Sequence, residues 1–315
     1  MPDFCVWNRC NNNCIMCTNP VGFRDEDQSF SYSRKAVISR MKSWKENQKS
    51  NKENINLTGG EPTIHPEFLE LIKEIREIFP ENKIVMATNG RMFSYRWFVQ
   101  ECLKINNLAL EIAIHSSIPQ LHDRITGVKG SFEQTISGIH NILKYKNSLQ
   151  ELEIRIIITK LNYKNLGKTV NFIKKEFPSV DKVVLIFIEM EGYAEKNFKI
   201  VGLTYKELKP YLTLSQIKKW EKRLSEIRLY HFPLCVLQPE LWEYTWRTLR
   251  EEEITFLPSC NKCLYKKYCL GIHKDYLKLA GDKEFQPITK KLYLQVQDFF
   301  HHPIIEAYEL SKRRL

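Results

Sequence analysis

The run KVVLIFI, residues 182–188, is apolar at every position after its lysine. A strand with one wet face alternates polar and apolar residues. A run without alternation reads as a strand covered on both faces. Five segments upstream read as strands too: FCVW (4–7), NINL (54–57), KIVMAT (83–88), LALEIAIH (108–115) and LEIRIIIT (152–159). Between them lie helical patterns. Val37, Ile38, Met41 and Trp44 share one face, as do Phe68, Leu69, Ile72 and Ile75, then Phe132, Ile136, Ile139 and Leu143, then Leu166, Val170 and Ile173. Pro66 is placed to open the second of these helices, and Ser131 with Gln134 to form a capping box on the next. Six βα units in series imply a parallel sheet. The fold class is α/β, and the expectation is a partial (β/α)6 barrel, with a flat doubly wound sheet as the alternative. In either, ligands gather at the C-terminal ends of the strands.

The composition suits a globular protein: 315 residues, 43% hydrophobic and 27% charged. No apolar run is long enough for a membrane span, and the start MPDFCVWNRC lacks the pattern of a signal peptide. The reading is a cytoplasmic protein with no membrane partner. The net charge of +11 admits a nucleic-acid partner, but Lys and Arg are scattered along segments such as FIKKEF and SQIKKWEKRL. That is a solvated surface, so nucleic acid is not the expected partner. After residue 188 the pattern changes. Residues 1–190 read as the barrel, 191–230 as a connecting segment with one helix (Ile217, Trp220 and Leu224 inward), and 231–315 as a small cysteine-bearing module.

Nine cysteines in a reducing compartment argue against a disulfide framework. Cys5 and Cys102 read as packing residues. Cys10, Cys14 and Cys17 follow the first strand with spacing C-x3-C-x2-C, which puts them in a loop at the active edge of the sheet. Zinc asks for four ligands, and a fourth is not obvious nearby. A [4Fe–4S] cluster held by three thiolates keeps one iron open to a small molecule. At the end of the second strand stands LTGGEPTIHP, residues 57–66. Gly59 and Gly60 allow a backbone to come close to a ligand, Glu61 offers a carboxylate, and Pro62 stiffens the turn.

These two motifs together resemble those of the radical S-adenosylmethionine enzymes, over about residues 4–190. Cys10, Cys14 and Cys17 match that family's cluster ligands and GGEP (59–62) its second signature. The resemblance implies that the open iron binds S-adenosylmethionine, whose reductive cleavage gives a 5′-deoxyadenosyl radical that takes a hydrogen atom from substrate. It also implies cofactor roles: Gly59, Gly60 and Glu61 at the amino group, Asn89 near cofactor or substrate, Ser116 and Ser117 at the ribose, Arg155 and Thr159 at carboxylate and adenine. Met16 stands where many members carry an aromatic residue beside adenine.

The second group, LPSCNKCLYKKYCLGIHKDY (257–276), has spacing C-x2-C-x5-C at Cys260, Cys263 and Cys269. By itself it suits zinc, with Cys235 or His273 as fourth ligand. It also resembles the auxiliary-cluster extension of the same family, SPASM or its shorter form twitch. The thiol count favours the shorter form: one further [4Fe–4S] cluster with Cys235 completing the set. Such a cluster would relay electrons, clip the module together, or grip substrate. The resemblance implies modification of a peptide or protein as the first expectation, with a small-molecule radical dehydrogenase or rearrangement enzyme as alternative. An RNA-modifying enzyme and a non-catalytic iron–sulfur redox sensor are further alternatives. Expected partners are an electron donor such as ferredoxin or flavodoxin, and possible recruitment of a separate leader-peptide-binding protein. Acid/base candidates at the active edge are Glu189, which directly follows the sixth strand, then His115, Glu191 and Tyr276. His273, His301 and His302 read as ordinary core or surface histidines.

Overall fold

Parallel pairing organises the molecule. The structure, a computed structural model, describes residues 3–25, 30–47, 53–222, 224–293 and 300–303. The six strands expected from sequence are β1 (Asp3–Trp7), β2 (Ile55–Gly59), β3 (Ile84–Thr88), β4 (Leu108–Ala113), β5 (Gln150–Ile158) and β6 (Lys182–Phe187). They lie side by side in chain order, all parallel. The helices between them are α1 (Arg34–Glu46), α2 (Phe68–Ile78), α3 (Arg96–Cys102), α4 (Pro119–Thr126), α5 (Ser131–Tyr145) and α6 (Leu166–Glu176). The fold is the α/β partial barrel.

The sheet does not stop at six strands. β7 (Ile227–Tyr230) and β8 (Thr245–Arg247) continue it in parallel, and a two-residue strand at His302–Pro303 pairs with β8. These strands fall in segments whose sequence suggested connection and loop. A separate antiparallel pair joins β9 (Ile254–Thr255) to β10 (Ile272–His273).

The two faces of the sheet differ in kind. Leu110, Ile112, Leu152, Ile154, Ile156, Val183 and Leu185 are buried against the helices in the main core. The register puts Glu111, Glu153 and Lys182 in line on the other, inner face, and likewise Arg155, Val184 and Arg228. Arg155 binds both Glu111 and Glu153. Above this charged belt, Val184, Ile186, Tyr230 and Trp246 form a small apolar cluster of their own. The inner residues of β2 to β4 that stand in line with them include Ala87, Ala109 and Ala113, which leave room inside the barrel.

Two local expectations are corrected. Residues Pro66 and Glu67 precede α2, which begins at Phe68. Ser131 does not cap α5; it is the helix's first residue. The cap comes from another helix. Asp123 of α4 accepts from Phe132 N (2.9 Å), Gly130 N (2.6 Å) and the Ser131 hydroxyl (2.9 Å). Gln134 instead accepts from Arg91 Nε. The buried face of α5 is also rotated: Thr135, Gly138 and Ile142 join Phe132 and Ile139 inside, while Ile136 and Leu143 are half-buried. Gly138 lies where a Cβ would meet Gly90 O at 2.3 Å, so helix and loop touch backbone to backbone.

Candidate active site

The loop after β1 carries Cys10, Cys14 and Cys17, and it is fixed by bonds from five directions. Asn13 N and Ile15 N donate to Thr126 O and Ile125 O at the end of α4. Gly60 N and Glu61 N donate to Trp7 O (2.7 Å) and Arg9 O (2.8 Å). Arg91 reaches Asn11 O and Asn12 Oδ1. Arg24 Nη1 donates to Asn12 O, and Asn197 Nδ2 to Ile15 O, at 2.7 and 2.8 Å. Tyr193 N, in α7 (Gly192–Lys196), donates to Cys17 O. The thiols are thus held by backbone that the barrel itself positions.

This geometry explains the two glycines. A Cβ on Gly60 would stand 2.2 Å from Arg9 O, and one on Gly59 2.3 Å from Trp7 O, with Gly59 also at φ +125°. Their close approach is to the cysteine loop's own backbone. Glu61 is equally committed. Only 1% exposed, it accepts from Thr63 N and Oγ1 and Thr88 Oγ1 on one oxygen and from Asn89 N on the other. Burial pushes its pKa up and these donors pull it back. Asn89 passes the connection on, donating to Asn11 Oδ1 at 2.6 Å. So the GGE turn and the ATNG turn clamp the cysteine loop. Sequence reasoning missed Arg91, Arg24 and Asn197 because nothing in their local pattern points to a loop far away in the chain.

The thiols suit metal. Burial pushes Cys10 up to about 11, and raises Cys14 further, with Cys10 and Cys17 each adding to the rise at Cys14. Thiols raised as Cys10 and Cys14 are become thiolates when a metal ion displaces the proton. Asn12 N donates to Cys10 Sγ at 3.3 Å, a contact that favours thiolate. Met16 is 6% exposed and packs into the core beside them.

The second group converges as well. Burial raises Cys235 to about 12, and Cys269, Cys260 and Cys263 all push it the same way. Leu234 N donates to Cys269 Sγ at 3.5 Å. Around them Leu234, Trp242 and Tyr265 form a small apolar core. Among the described residues, three ligand atoms lie within 4.8 Å of one another only at Glu191, His273 and Asp275. Neither cysteine group is that tight.

The remaining expected residues divide. Glu189 lies just beyond β6 with Oε1 3.3 Å from His231 Nε2. Glu191 pairs with His273 at 3.0 Å, joining the barrel to the cysteine-rich region. The others are engaged elsewhere. His115 is buried and stacked on His122 of α4 with ring centroids 5.6 Å apart, and burial pulls its pKa down to about 3. Ser116 is fully buried and accepts from Ile118 N, its own loop. The Thr159 hydroxyl serves a turn, donating to Asn162 Oδ1 and accepting from Leu161 N. Ser117 N donates to Thr169 Oγ1. Tyr276, fully buried, gives its hydroxyl to Glu284. Arg155 sits mid-strand between two glutamates. His301 and His302 are core residues.

A parallel α/β barrel with three thiols in its first loop defines a class. The Radical SAM superfamily model matches residues 4–173, more than half of the chain, and the chain belongs to that family and to its class of enzymes. Membership implies a [4Fe–4S] cluster and S-adenosylmethionine. A relative from Sulfurisphaera tokodaii, named probable GTP 3′,8-cyclase, is 28% identical over 191 residues, covering 60% of this chain and 56% of its own. The chain thus spans little more than half the length of that curated relative. Among solved structures, native anSMEcpe with bound AdoMet aligns with TM-score 0.53 and 19% identity over 72% of this chain and 63% of that one. Streptococcus suis SuiB bound to S-adenosylmethionine aligns with TM-score 0.50 and 15% identity over 70% and 45%. These two share the fold. No described helix is long and apolar enough to cross a membrane.

Proposed function

We propose that this chain cleaves S-adenosylmethionine reductively and takes a hydrogen atom from a small molecule held at the C-terminal edge of the sheet. Cys10, Cys14 and Cys17 hold the iron of the first cluster, an assignment carried by one observation: three half-buried thiols in one loop clamped by GGE and ATNG. With cluster and cofactor bound, the site supplies a 5′-deoxyadenosyl radical. The chain's own contribution is rigidity and enclosure. Glu61, Asn89 and Arg91 fix the loop, Met16 closes its core side, and the belt of Glu111, Arg155 and Glu153 lines the barrel below. Cys235, Cys260, Cys263 and Cys269 hold a second [4Fe–4S] cluster that relays electrons or clips the C-terminal region. The electron donor is a ferredoxin or flavodoxin.

The small-molecule reading is supported by the cyclase relative, whose name specifies GTP, across the first part of the chain. Peptide or protein modification, aided by a leader-binding partner, is the second reading. It is supported by the four-thiol region, which resembles the auxiliary module. The test is anaerobic reconstitution followed by dithionite and S-adenosylmethionine. Formation of 5′-deoxyadenosine, and its stimulation by a low-molecular-weight cell extract rather than by the peptide fraction, is expected. No 5′-deoxyadenosine at all would leave a redox sensor as the better reading.

A further inference from the structure

Residues 189–193 run as a strap between the two cysteine groups. At one end Tyr193 N donates to Cys17 O at 2.8 Å. A Cβ on Gly192, whose φ is +55°, would stand 2.2 Å from Asn19 O, so the strap and the first cysteine loop touch backbone to backbone. At the other end Glu191 Oε1 lies 3.0 Å from His273 Nε2. His273 closes β10 shortly after Cys269, and the helix Lys274–Ala280 that follows carries Asp275. One nitrogen of His273 and one oxygen each of Glu191 and Asp275 all lie within 4.8 Å of one another. The fold gathers them, since Glu191 comes from the end of the barrel and the other two from the cysteine-rich region.

The three side chains are bound to little else. His273 is 7% exposed and its buried Nδ1 has no hydrogen bond, so the ring's one polar contact among the described residues is with Glu191. No ion pair or side-chain hydrogen bond holds the Asp275 carboxylate among the described residues, and no lysine or arginine pairs with Glu191. Burial pushes the Glu191 pKa up; His273 pulls it down, and Glu189, Asp275 and Glu253 add to the rise. Acidic charge thus collects around one buried imidazole.

Two ligand atoms bonded at about 2.1 Å to one metal ion, at a right angle to each other, stand about 3.0 Å apart. That is the separation of Glu191 Oε1 and His273 Nε2. One imidazole and two carboxylates form a mixed nitrogen and oxygen set, which suits a first-row divalent ion such as Mn²⁺ or Zn²⁺. Glu191 keeps 38% of its side-chain surface accessible, so water can complete the coordination. We infer that Glu191, His273 and Asp275 bind one first-row divalent metal ion, and that this ion staples the end of the barrel to the cysteine-rich region. The site has no sulfur donor, is distinct from both thiol groups, and does not rest on the functional reading above.

The rival is a plain Glu191–His273 hydrogen bond that leaves Asp275 unengaged, and Mn²⁺ separates the two. Untagged protein with its iron–sulfur content reconstituted is titrated with Mn²⁺ alone, and free Mn²⁺ is read from its EPR spectrum. One ion per chain should bind, and its spin-echo spectrum should show a directly bonded imidazole nitrogen. Glu191→Gln and Asp275→Asn should each weaken binding at least about tenfold, because losses outside the ligand shell alone reach that size. Glu195→Gln removes the ion pair with Lys278 across the same junction and should bind Mn²⁺ as wild type does. Mn²⁺ should also slow proteolysis after residue 231 in wild type and in Glu195→Gln, but not in Asp275→Asn. No saturable binding, a bound ion without nitrogen coupling, or ligand variants that bind like wild type would overturn the site. So would loss of iron together with Mn²⁺ in both ligand variants, which would mark the two residues as structural. Equal protection of Asp275→Asn and wild type would overturn the staple.

Discussion

Cys10, Cys14 and Cys17 lie in a loop whose backbone is bonded to α4, to the turns after β2 and β3, and to α7, all supplied by the barrel. Cys235, Cys260, Cys263 and Cys269 lie in or beside one-turn 3-10 segments; Cys263 and Cys269 pack on a core of three buried residues, and Cys235 on the edge of the main core. The first group is placed by a fold that exists without it. The second belongs to a region with little apolar area of its own, where ligands contribute directly to folding. Three thiols in a rigid frame suit a metal that must keep a coordination position free. Four thiols in a small core suit one that is closed. Substitutions at the two groups should therefore fail in different ways.

The largest effect tests that difference directly. Changing Cys10, Cys14 and Cys17 together to Ala should abolish 5′-deoxyadenosine formation and lower iron from about eight to about four per chain. The thermal transition should stay nearly unchanged. Changing Cys260 and Cys263 should remove the other four irons and open the region after residue 231 to protease. Equal thermal destabilisation by both sets would erase the distinction. Next in size is Trp242→Ala. Trp242 is wholly buried, donates from Nε1 to Leu234 O at 2.9 Å, and packs on Tyr265 and Phe300. Its loss should cost about 3–5 kcal/mol by the large-to-small rule. Denaturant unfolding should place that loss in the C-terminal region and leave the first cluster's iron content unaffected.

A smaller change probes the clamp. Glu61→Gln replaces an oxygen that accepts from Thr63 and Thr88, or from Asn89 N, with an amide that must point its own hydrogens at a donor. A cost of roughly 1.5–3 kcal/mol follows from breaking hydrogen bonds to a charged group. Because Asn89 also holds Asn11, the first cluster should become labile to chelator while the second does not. Equal lability of both would show that Glu61 acts on overall stability alone.

What the sequence made legible is uneven for physical reasons. KVVLIFI and LEIRIIIT carry their burial in their own residues, so β5 and β6 could be read directly. β7 and β8 could not: IRLY and TWR are short, and their inner residues Arg228, Tyr230 and Trp246 are polar or amphipathic. The Arg228 guanidinium lies 3.7 Å from the Trp246 ring centroid, a contact that no local pattern announces. The cysteines of both groups were visible from spacing. The role of GGE was visible only in part, because its partner is the carbonyl of Arg9, some fifty residues earlier. Ser116 and Thr159 stand at strand ends, and their hydroxyls also accept hydrogen bonds within their own turns.

The smallest predicted effect reaches the first cysteine loop indirectly. Asp123 caps α5 from the same helix, α4, whose last carbonyls receive Asn13 N and Ile15 N. Partial burial works to raise the Asp123 pKa, but the bonds from Phe132 N, Gly130 N and the Ser131 hydroxyl outweigh it and hold the group below its ordinary value. A carboxyl whose folded pKa is depressed contributes stability above its unfolded pKa, near 3.9, and loses it as pH falls through the lower folded value. Asp123→Ala should therefore cost about 1 kcal/mol at neutral pH, the usual worth of a cap. The difference from wild type should shrink below about pH 4. Iron should also leave the first group faster in the variant, since α4 grips that loop, while the rate at the second group stays as in wild type. A pH-independent difference would mean that the carboxylate charge is not what holds α5. Equal release rates from both groups would mean that α4 does not govern the cysteine loop, and the contrast between a positioned and a self-organised thiol group would lose its basis.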